Sequence, residues 1–198
     1  MNILLTNDDG IHSEGITVLG DALSVKHGVY VIAPNTERSA CSNAITVRND
    51  LGVEMLSEGR YALDGFPADC VNVGLHGGII PSVDLVISGI NPGPNLGDDV
   101  YFSGTTAGAR TAFIFGVSGI ALSLDCIGSS DYFGAAAGFM AAYLDEYRML
   151  AERGPLFLNI NYPDLPDKRI AGVRYTTLGK RRYRDSYSIT GSSGNVMH

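Results

Sequence analysis

Two adjacent carboxylates stand early in the chain, at Asp8 and Asp9. They follow the apolar run 2–6, which is typical of a buried strand, so they lie where that strand is expected to end. Neighbouring carboxylates repel each other near the edge of a core, and a cation relieves that cost. Their hard oxygens suit Mg²⁺, Mn²⁺ or Ca²⁺. The pair therefore indicates a metal site, although Asn-Asp-Asp-Gly is also good turn chemistry, and both interpretations remain open.

Two polar segments follow later predicted strands. Ser39, in the loop 35–43, can offer its hydroxyl to a metal or a phosphate, but loop serines are common without such a role. The segment 88–97 contains three glycines and two prolines, which impose an unusual backbone path. Asn91 and Asn95 can project their amides from this path into one site. Ten residues with two asparagines exceed what a structural turn needs, which favours a functional loop.

A fourth segment opens a predicted helix at residues 105–115. The small residues Ser103, Gly104 and Thr105 precede and begin this helix. A helix start of this kind presents free N–H groups to an anion, and the hydroxyls add further donors. Ordinary N-capping by serine or threonine is an equally good explanation for this segment taken alone.

Alternating strands and helices must position these segments. Apolar runs predict strands at 2–6, 29–33, 83–87, 119–123 and 156–160, and more weakly at 44–47 and 61–63. Helical patterns occur at 14–26, after Pro67, and at 105–115 and 132–153. This order predicts an α/β protein with a parallel sheet covered by helices on both faces. Ligands bind at the carboxyl ends of such strands, where all four polar segments are expected to meet.

Bulk properties limit the partners and the compartment. The 198 residues suit a single domain, and a formal net charge of -7 argues against a nucleic-acid groove or an anionic membrane as the main partner. The three cysteines are far apart and predict neither a disulfide framework nor a zinc site. The N-terminus does not resemble a signal peptide, and no apolar run is long enough for a membrane span. We therefore expect a cytoplasmic protein.

Four motifs together carry a family resemblance. TNDDG at 6–10, APNTERSA at 33–40, GFPADCV at 65–71 and SGINPGPNLGDDVYFSGT at 88–105 resemble the stationary-phase survival protein SurE family of metal-dependent nucleotidases. The combination is far more specific than any one motif. The resemblance implies a Rossmann-like fold and a 5'-nucleotidase that hydrolyses nucleoside 5'- and 3'-monophosphates.

The same resemblance implies roles for eight residues. One divalent cation per subunit, Mg²⁺ or Mn²⁺, would be held by Asp8, Asp9, Ser39 and Asn91. The phosphate would contact Asn95, Ser103, Gly104 and Thr105. Asp8 and Asp9 would also be catalytic, one of them orienting or deprotonating the attacking water. Direct attack by water and a covalent aspartyl-phosphate route are both compatible with these residues.

The C-terminal part differs from the rest of the chain. We expect an α/β core at 1–178 and a basic, polar tail at 179–198. The tail contains the cations Lys180, Arg181, Arg182 and Arg184. Since the family usually continues further, the tail is interpreted as an incomplete oligomerisation segment. A homodimer or homotetramer built mainly from the core is expected.

Two other functions are compatible with an acidic pair in an α/β sheet. A phospho-receiver module is the closer alternative, but it needs an acceptor aspartate after its third strand and a lysine after its fifth. Ser88-Gly89 and Leu124-Asp125 occupy the corresponding places. A dinucleotide-binding dehydrogenase fits less well, because NDDGIHSEG replaces the G-x-G-x-x-G turn and its acids would repel pyrophosphate.

Overall fold

Alternating strands and helices build one large sheet with helical layers. The computed structural model describes residues 1–183, 188–190 and 195–197. In chain order, the strands of the large sheet are β1 (Asn2–Thr6), β2 (Gly28–Pro34), β3 (Val53–Ser57), β4 (Arg60–Leu63), β5 (Leu85–Pro92), β6 (Ser118–Asp125) and β7 (Phe157–Pro163). The α-helices are α1 (Glu14–Ser24), α2 (Pro67–His76), α3 (Gly104–Ile114) and α4 (Phe133–Ala151). Two 3-10 helices span Gly97–Tyr101 and Asp167–Arg169.

The strand order is β3-β4-β2-β1-β5-β6-β7, and every pairing is parallel except that of β3 with β4. Strand β1 lies between β2 and β5, so Ile3 is opposite both Val29 and Leu85. Because the parallel strands all end at the same edge, the loops after β1, β2 and β5 share one side of the sheet. The predicted α/β architecture is confirmed.

Helices cover both faces of the large sheet. Successive side chains of β1 point to opposite faces, so its apolar residues must be covered on both sides. Ile3 and Leu5 pack in the cluster that contains the buried residues of α1 and α4, whereas Leu4 packs with Cys70 and Val71 of α2. Helix α1 buries Ile16, Leu19 and Leu23, spaced as one face of a helix. Both faces of the central strands are therefore apolar, which is why β1 and β5 appear in the sequence as continuous apolar runs.

The predicted strand at 44–47 is wrong. This segment is irregular, and the side chain of Asp69 takes the hydrogen bonds that a strand neighbour would have made. The backbone N–H of Thr46 donates to Asp69 Oδ1, and Thr46 Oγ1 donates to Oδ2, both at 2.9 Å. The same carboxylate accepts the backbone N–H of Phe66 at the start of α2. Asp69 thus anchors the loop to a helix end.

The interpretation of 88–97 as a loop is also partly wrong, because β5 continues to Pro92. Beyond Ser88, which is opposite Thr6, the strand loses β1 as a neighbour but keeps β6. Its pairing is irregular between Gly89 and Asn91. Gly89 has φ +139°, and a Cβ there would lie 2.2 Å from the carbonyl oxygen of Leu122, so only glycine fits. Local sequence favoured a loop because these residues are glycine- and proline-rich.

Strand β3 was not predicted. It is an antiparallel edge strand with every residue exposed, so burial imposes no apolar alternation on its sequence.

A small antiparallel pair, β8 (Ser188–Thr190) and β9 (Asn195–Met197), lies in the tail. Arg184 and the tail residues 185–187, 191–194 and 198 lie outside the described residues. The division into 1–178 and 179–198 and the oligomeric state stay predictions. No helix in the described part of the chain is long and apolar enough to cross a membrane.

Candidate active site

Six of the eight predicted site residues line one cavity at the carboxyl edge of the sheet. Its volume is about 390 Å³. The predicted residues on its wall are Asp8, Asp9, Ser39, Asn91, Asn95 and Ser103. They come from four separate chain segments, joined because β1, β2 and β5 end side by side. The sequence-based expectation that these segments converge agrees with this arrangement.

Asp8 is held by the start of α3. Only 5% of the residue is exposed, and its Oδ1 accepts a 2.6 Å hydrogen bond from Thr105 Oγ1. Backbone groups of Gly104 and Thr105 also hydrogen-bond this carboxylate. Burial raises the pKa of Asp8, and these hydrogen bonds oppose the rise by stabilising the charged form. The carboxylate is therefore fixed in position before any ligand binds.

Asp9 is less well satisfied than its neighbour. Its Oδ2 is buried and has no hydrogen-bond partner among the described residues. Burial, together with the nearby charges of Asp8 and Glu37, raises the pKa of Asp9 to about 7. An unpartnered, buried carboxylate oxygen beside a second carboxylate is costly unless a cation or a proton occupies the site.

Ser39 and Asn91 carry neutral oxygens suited to the same cation. Ser39 Oγ donates to Glu37 Oε1 at 2.6 Å, which leaves the lone pairs of the hydroxyl available. Asn91 Nδ2 donates to the carbonyl of Gly93 at 2.7 Å, which orients the amide and leaves Oδ1 as its acceptor. Both side chains can thus act as oxygen ligands without losing their present hydrogen bonds.

The donor set fits a hard divalent cation. Among the described residues, no group of three or more His, Cys, Asp or Glu side chains could hold a metal. Two carboxylates with a hydroxyl and an amide oxygen are instead the ligands that Mg²⁺ and Mn²⁺ accept, and these ions usually keep several waters as well.

Asn95 is fixed by the neighbouring strands. Its Nδ2 donates to Ser123 Oγ at 2.8 Å, and its backbone N–H donates to Asn161 Oδ1 at 2.8 Å. Its carbonyl accepts hydrogen bonds from Asn159 and Asn161. Sequence analysis missed these supports, although Ser123 and Asn161 end or follow predicted strands, where polar residues are worth noting.

Ser103, Gly104 and Thr105 do not occupy equivalent places. Ser103 lines the cavity and is the N-cap of α3, with its Oγ accepting the N–H of Thr106 at 3.0 Å. Gly104 and Thr105 are buried behind the cavity wall, against Asp8. The hydroxyl of Thr105 is already committed to Asp8, which the local sequence could not indicate.

The loop carrying Ser39 is tied to both ends of the site. The backbone N–H of Arg38 donates to the carbonyl of Asp8 at 2.7 Å. The backbone N–H of Ser42 donates to the carbonyl of Phe102 at 2.9 Å, and the Ser42 hydroxyl donates to the carbonyl of Tyr101 at 2.6 Å. These bonds hold the loop beside the cavity, which Ser39 lines together with the acidic pair.

The raised pKa of Asp9 predicts how stability varies with pH in the metal-free protein. Between about pH 4 and pH 7, folded Asp9 keeps a proton that the unfolded chain has released. The free energy of unfolding therefore falls as pH rises through this window, by roughly 1–3 kcal/mol after allowance for partial solvent screening. Urea unfolding in chelator at pH 5 and pH 8 measures the fall.

The variant Asp9→Asn should lose most of this pH dependence. Asp21→Asn, at an exposed position on α1, is the matched control and should keep it. An equal fall in Asp9→Asn and in the unmodified protein would show that another group is responsible.

The sequence and the fold of this chain are similar to those of other proteins. The chain is 42% identical over 196 residues to 5'-nucleotidase SurE of Leptospira interrogans serovar copenhageni, covering 99% of this chain and 78% of that protein. It is 44% identical over 186 residues to 5'-nucleotidase SurE of Geobacter sulfurreducens, covering 92% and 70%. The fold is similar to the crystal structure of SurE protein from Aquifex aeolicus, with a TM-score of 0.84, 34% identity, and coverage of 100% and 80%. Residues 3–185 match the family described as Survival protein SurE. This chain belongs to the SurE family.

Proposed function

We propose that this protein is a 5'-nucleotidase that hydrolyses nucleoside 5'- and 3'-monophosphates to nucleoside and phosphate, with a divalent cation. The observation that carries the proposal is the acidic pair Asp8 and Asp9, with a buried and unpartnered Asp9 oxygen, in one cavity with Asn95 and Ser103. Relatives more than 40% identical carry the name 5'-nucleotidase, which supports the same reaction.

We assign the cation, Mg²⁺ or Mn²⁺, to Asp8, Asp9, Ser39 and Asn91. When bound, such a cation neutralises charge on the phosphate and lowers the pKa of a bound water. Asp8 serves as a fixed ligand, because Thr105 already holds its Oδ1. Asp9 has the freer carboxylate, so it is the better candidate to orient the attacking water or to accept its proton.

The phosphate is assigned to Asn95 and Ser103. An amide nitrogen has two hydrogens, so Asn95 can bind Ser123 and still donate to a phosphate oxygen. Ser103 accepts from Thr106 and keeps its own hydroxyl hydrogen for the substrate. Gly104 and Thr105 position Asp8, and their direct contact with phosphate stays a prediction from the family resemblance.

A phosphate-release assay tests this function. Incubation with AMP and Mn²⁺ or Mg²⁺ should release phosphate, and dialysis against excess chelator should reduce the rate on the order of 10²-fold or more, because the acidic pair then repels the anionic substrate. Adding the cation back should restore it. Full activity in chelator would contradict the metal requirement, and no release with either cation would contradict the reaction itself.

The phospho-receiver alternative has no support at the site. Strand β5 lies next to β1, where a receiver would need its acceptor aspartate, but Ser88 and Gly89 occupy that strand and Ser88 is buried. A hydroxyl and a glycine cannot replace the carboxylate that such a module phosphorylates.

A further inference from the structure

An exposed aromatic ring forms part of the cavity wall. Phe102 lines the same cavity as Asp8, Asp9 and Ser103, yet 57% of the residue is exposed. It directly precedes Ser103, which we assign to the phosphate. A large apolar side chain left in water beside a polar site leaves apolar area that a ligand can cover.

The backbone of Phe102 is held in place although its ring is exposed. Its N–H donates to the carbonyl of Asp99 at 3.0 Å, and its carbonyl accepts the N–H of Ser42 at 2.9 Å. These bonds fix both sides of the residue at the end of the 3-10 helix Gly97–Tyr101. A ligand that stacks on this ring therefore orders little additional chain.

The tail brings a second ring to the same place. The rings of Tyr183 and Phe102 meet edge to face, with centroids 6.4 Å apart and an interplanar angle of 82°. Tyr183 OH donates to Asp99 Oδ1 at 2.6 Å. Arg181 also forms an ion pair with Asp99, and its guanidinium lies 5.6 Å from the centre of the Tyr183 ring. Asp99 thus anchors Tyr183 beside Phe102.

We propose that Phe102 is the base-binding residue of this enzyme, with the nucleobase stacked on its ring and Tyr183 bordering that position. This inference rests on the proposed nucleotidase function. The cavity volume of about 390 Å³ falls within the ~300–1,000 Å³ of small-molecule sites, which leaves room beyond a phosphate group. Because every base has a π face, stacking selects nucleotides over other phosphomonoesters but discriminates little between purines and pyrimidines.

Three substrates separate base binding from phosphate chemistry. With the metal-loaded full chain, Phe102→Ala should raise KM for AMP and for UMP roughly tenfold. For the same variant, the KM for ribose 5-phosphate should stay within about twofold of the original value. This substrate has no base, and the ring contributes only to binding of the base. Phe102→Trp should keep a KM for AMP close to the original, because its ring also stacks.

Tyr101→Ala is the matched control. Tyr101 is the adjacent residue and equally exposed, at 59%, but the described residues that line the cavity do not include it. It should leave all three KM values unchanged. Equal effects of Phe102→Ala on AMP and ribose 5-phosphate, or equal effects of the two alanine variants on AMP, would overturn the proposal.

A binding measurement distinguishes this inference from the proposed function. Saturation-transfer NMR should give a clear signal from the base protons of adenosine with the original chain. The same signal should be much weaker with Phe102→Ala. Absence of the adenosine signal in the original chain would refute the base site even if AMP is hydrolysed. If none of the three phosphomonoesters is hydrolysed, the nucleotidase proposal fails, and an adenosine signal that depends on Phe102 would still support the base site.

Discussion

Asp9→Asn should lower kcat/KM for AMP on the order of 10³-fold or more while leaving the protein folded. The substitution keeps the size of the side chain and removes one of the two negative charges proposed to hold the cation. It also removes the buried carboxylate oxygen that has no partner among the described residues. Affinity for Mn²⁺, measured by calorimetry, should fall together with the rate of phosphate release. Asp8→Asn should reduce activity in the same way.

The sign of the stability change separates a site defect from a folding defect. Since burial disfavours the charge of Asp9, the metal-free Asp9→Asn variant should be at least as stable as the original at pH 8. Asp21→Asn should change neither activity nor cation affinity. An Asp9→Asn variant that keeps most of its cation-dependent activity would refute the assignment of Asp9, whereas one that unfolds at pH 8 would refute the electrostatic argument.

Gly104→Ala should reduce activity and cation affinity by roughly 10- to 100-fold through a displacement of Asp8. A Cβ at position 104 would lie 2.8 Å from Asp8 Cβ, 2.9 Å from Asp8 Oδ2 and 2.7 Å from Cys41 Sγ. All three distances are too short, so the side chains of Asp8 and Cys41 must move. The backbone of Gly104 is helical, and alanine has a better helix propensity there, so the effect cannot come from the helix itself.

Gly138→Ala is the control for this experiment. Gly138 also lies in a helix, α4, but a Cβ there would meet nothing within 4 Å. This variant should keep full activity and gain roughly 0.4–1 kcal/mol of stability. Thermal melting and Mn²⁺ calorimetry on both variants provide the comparison. If Gly104→Ala binds Mn²⁺ and hydrolyses AMP like Gly138→Ala, then the position of Asp8 is not decisive for the site.

Much of the architecture could be predicted from local pattern. Buried parallel strands are apolar on both faces, so β1 and the first half of β5 were evident as short apolar runs. The carboxyl ends of such strands share an edge, which placed Asp8, Asn91 and Ser103 near one another before any contact was known. The exposed edge strand β3 and the irregular second half of β5 were missed, because neither has a repeating apolar side.

The sequence by itself determined the buried strands, the helices and the edge at which the acidic and amide side chains would meet, since periodicity reflects burial within a single element. Only the tertiary structure decided which atoms pair there. Thr105 donates to Asp8 across 97 residues, a contact that the sequence analysis did not predict. Tyr183 lies against Phe102 while its hydroxyl binds Asp99, 84 residues away along the chain. Such pairings depend on register and side-chain rotamers across distant elements, and no local pattern encodes them.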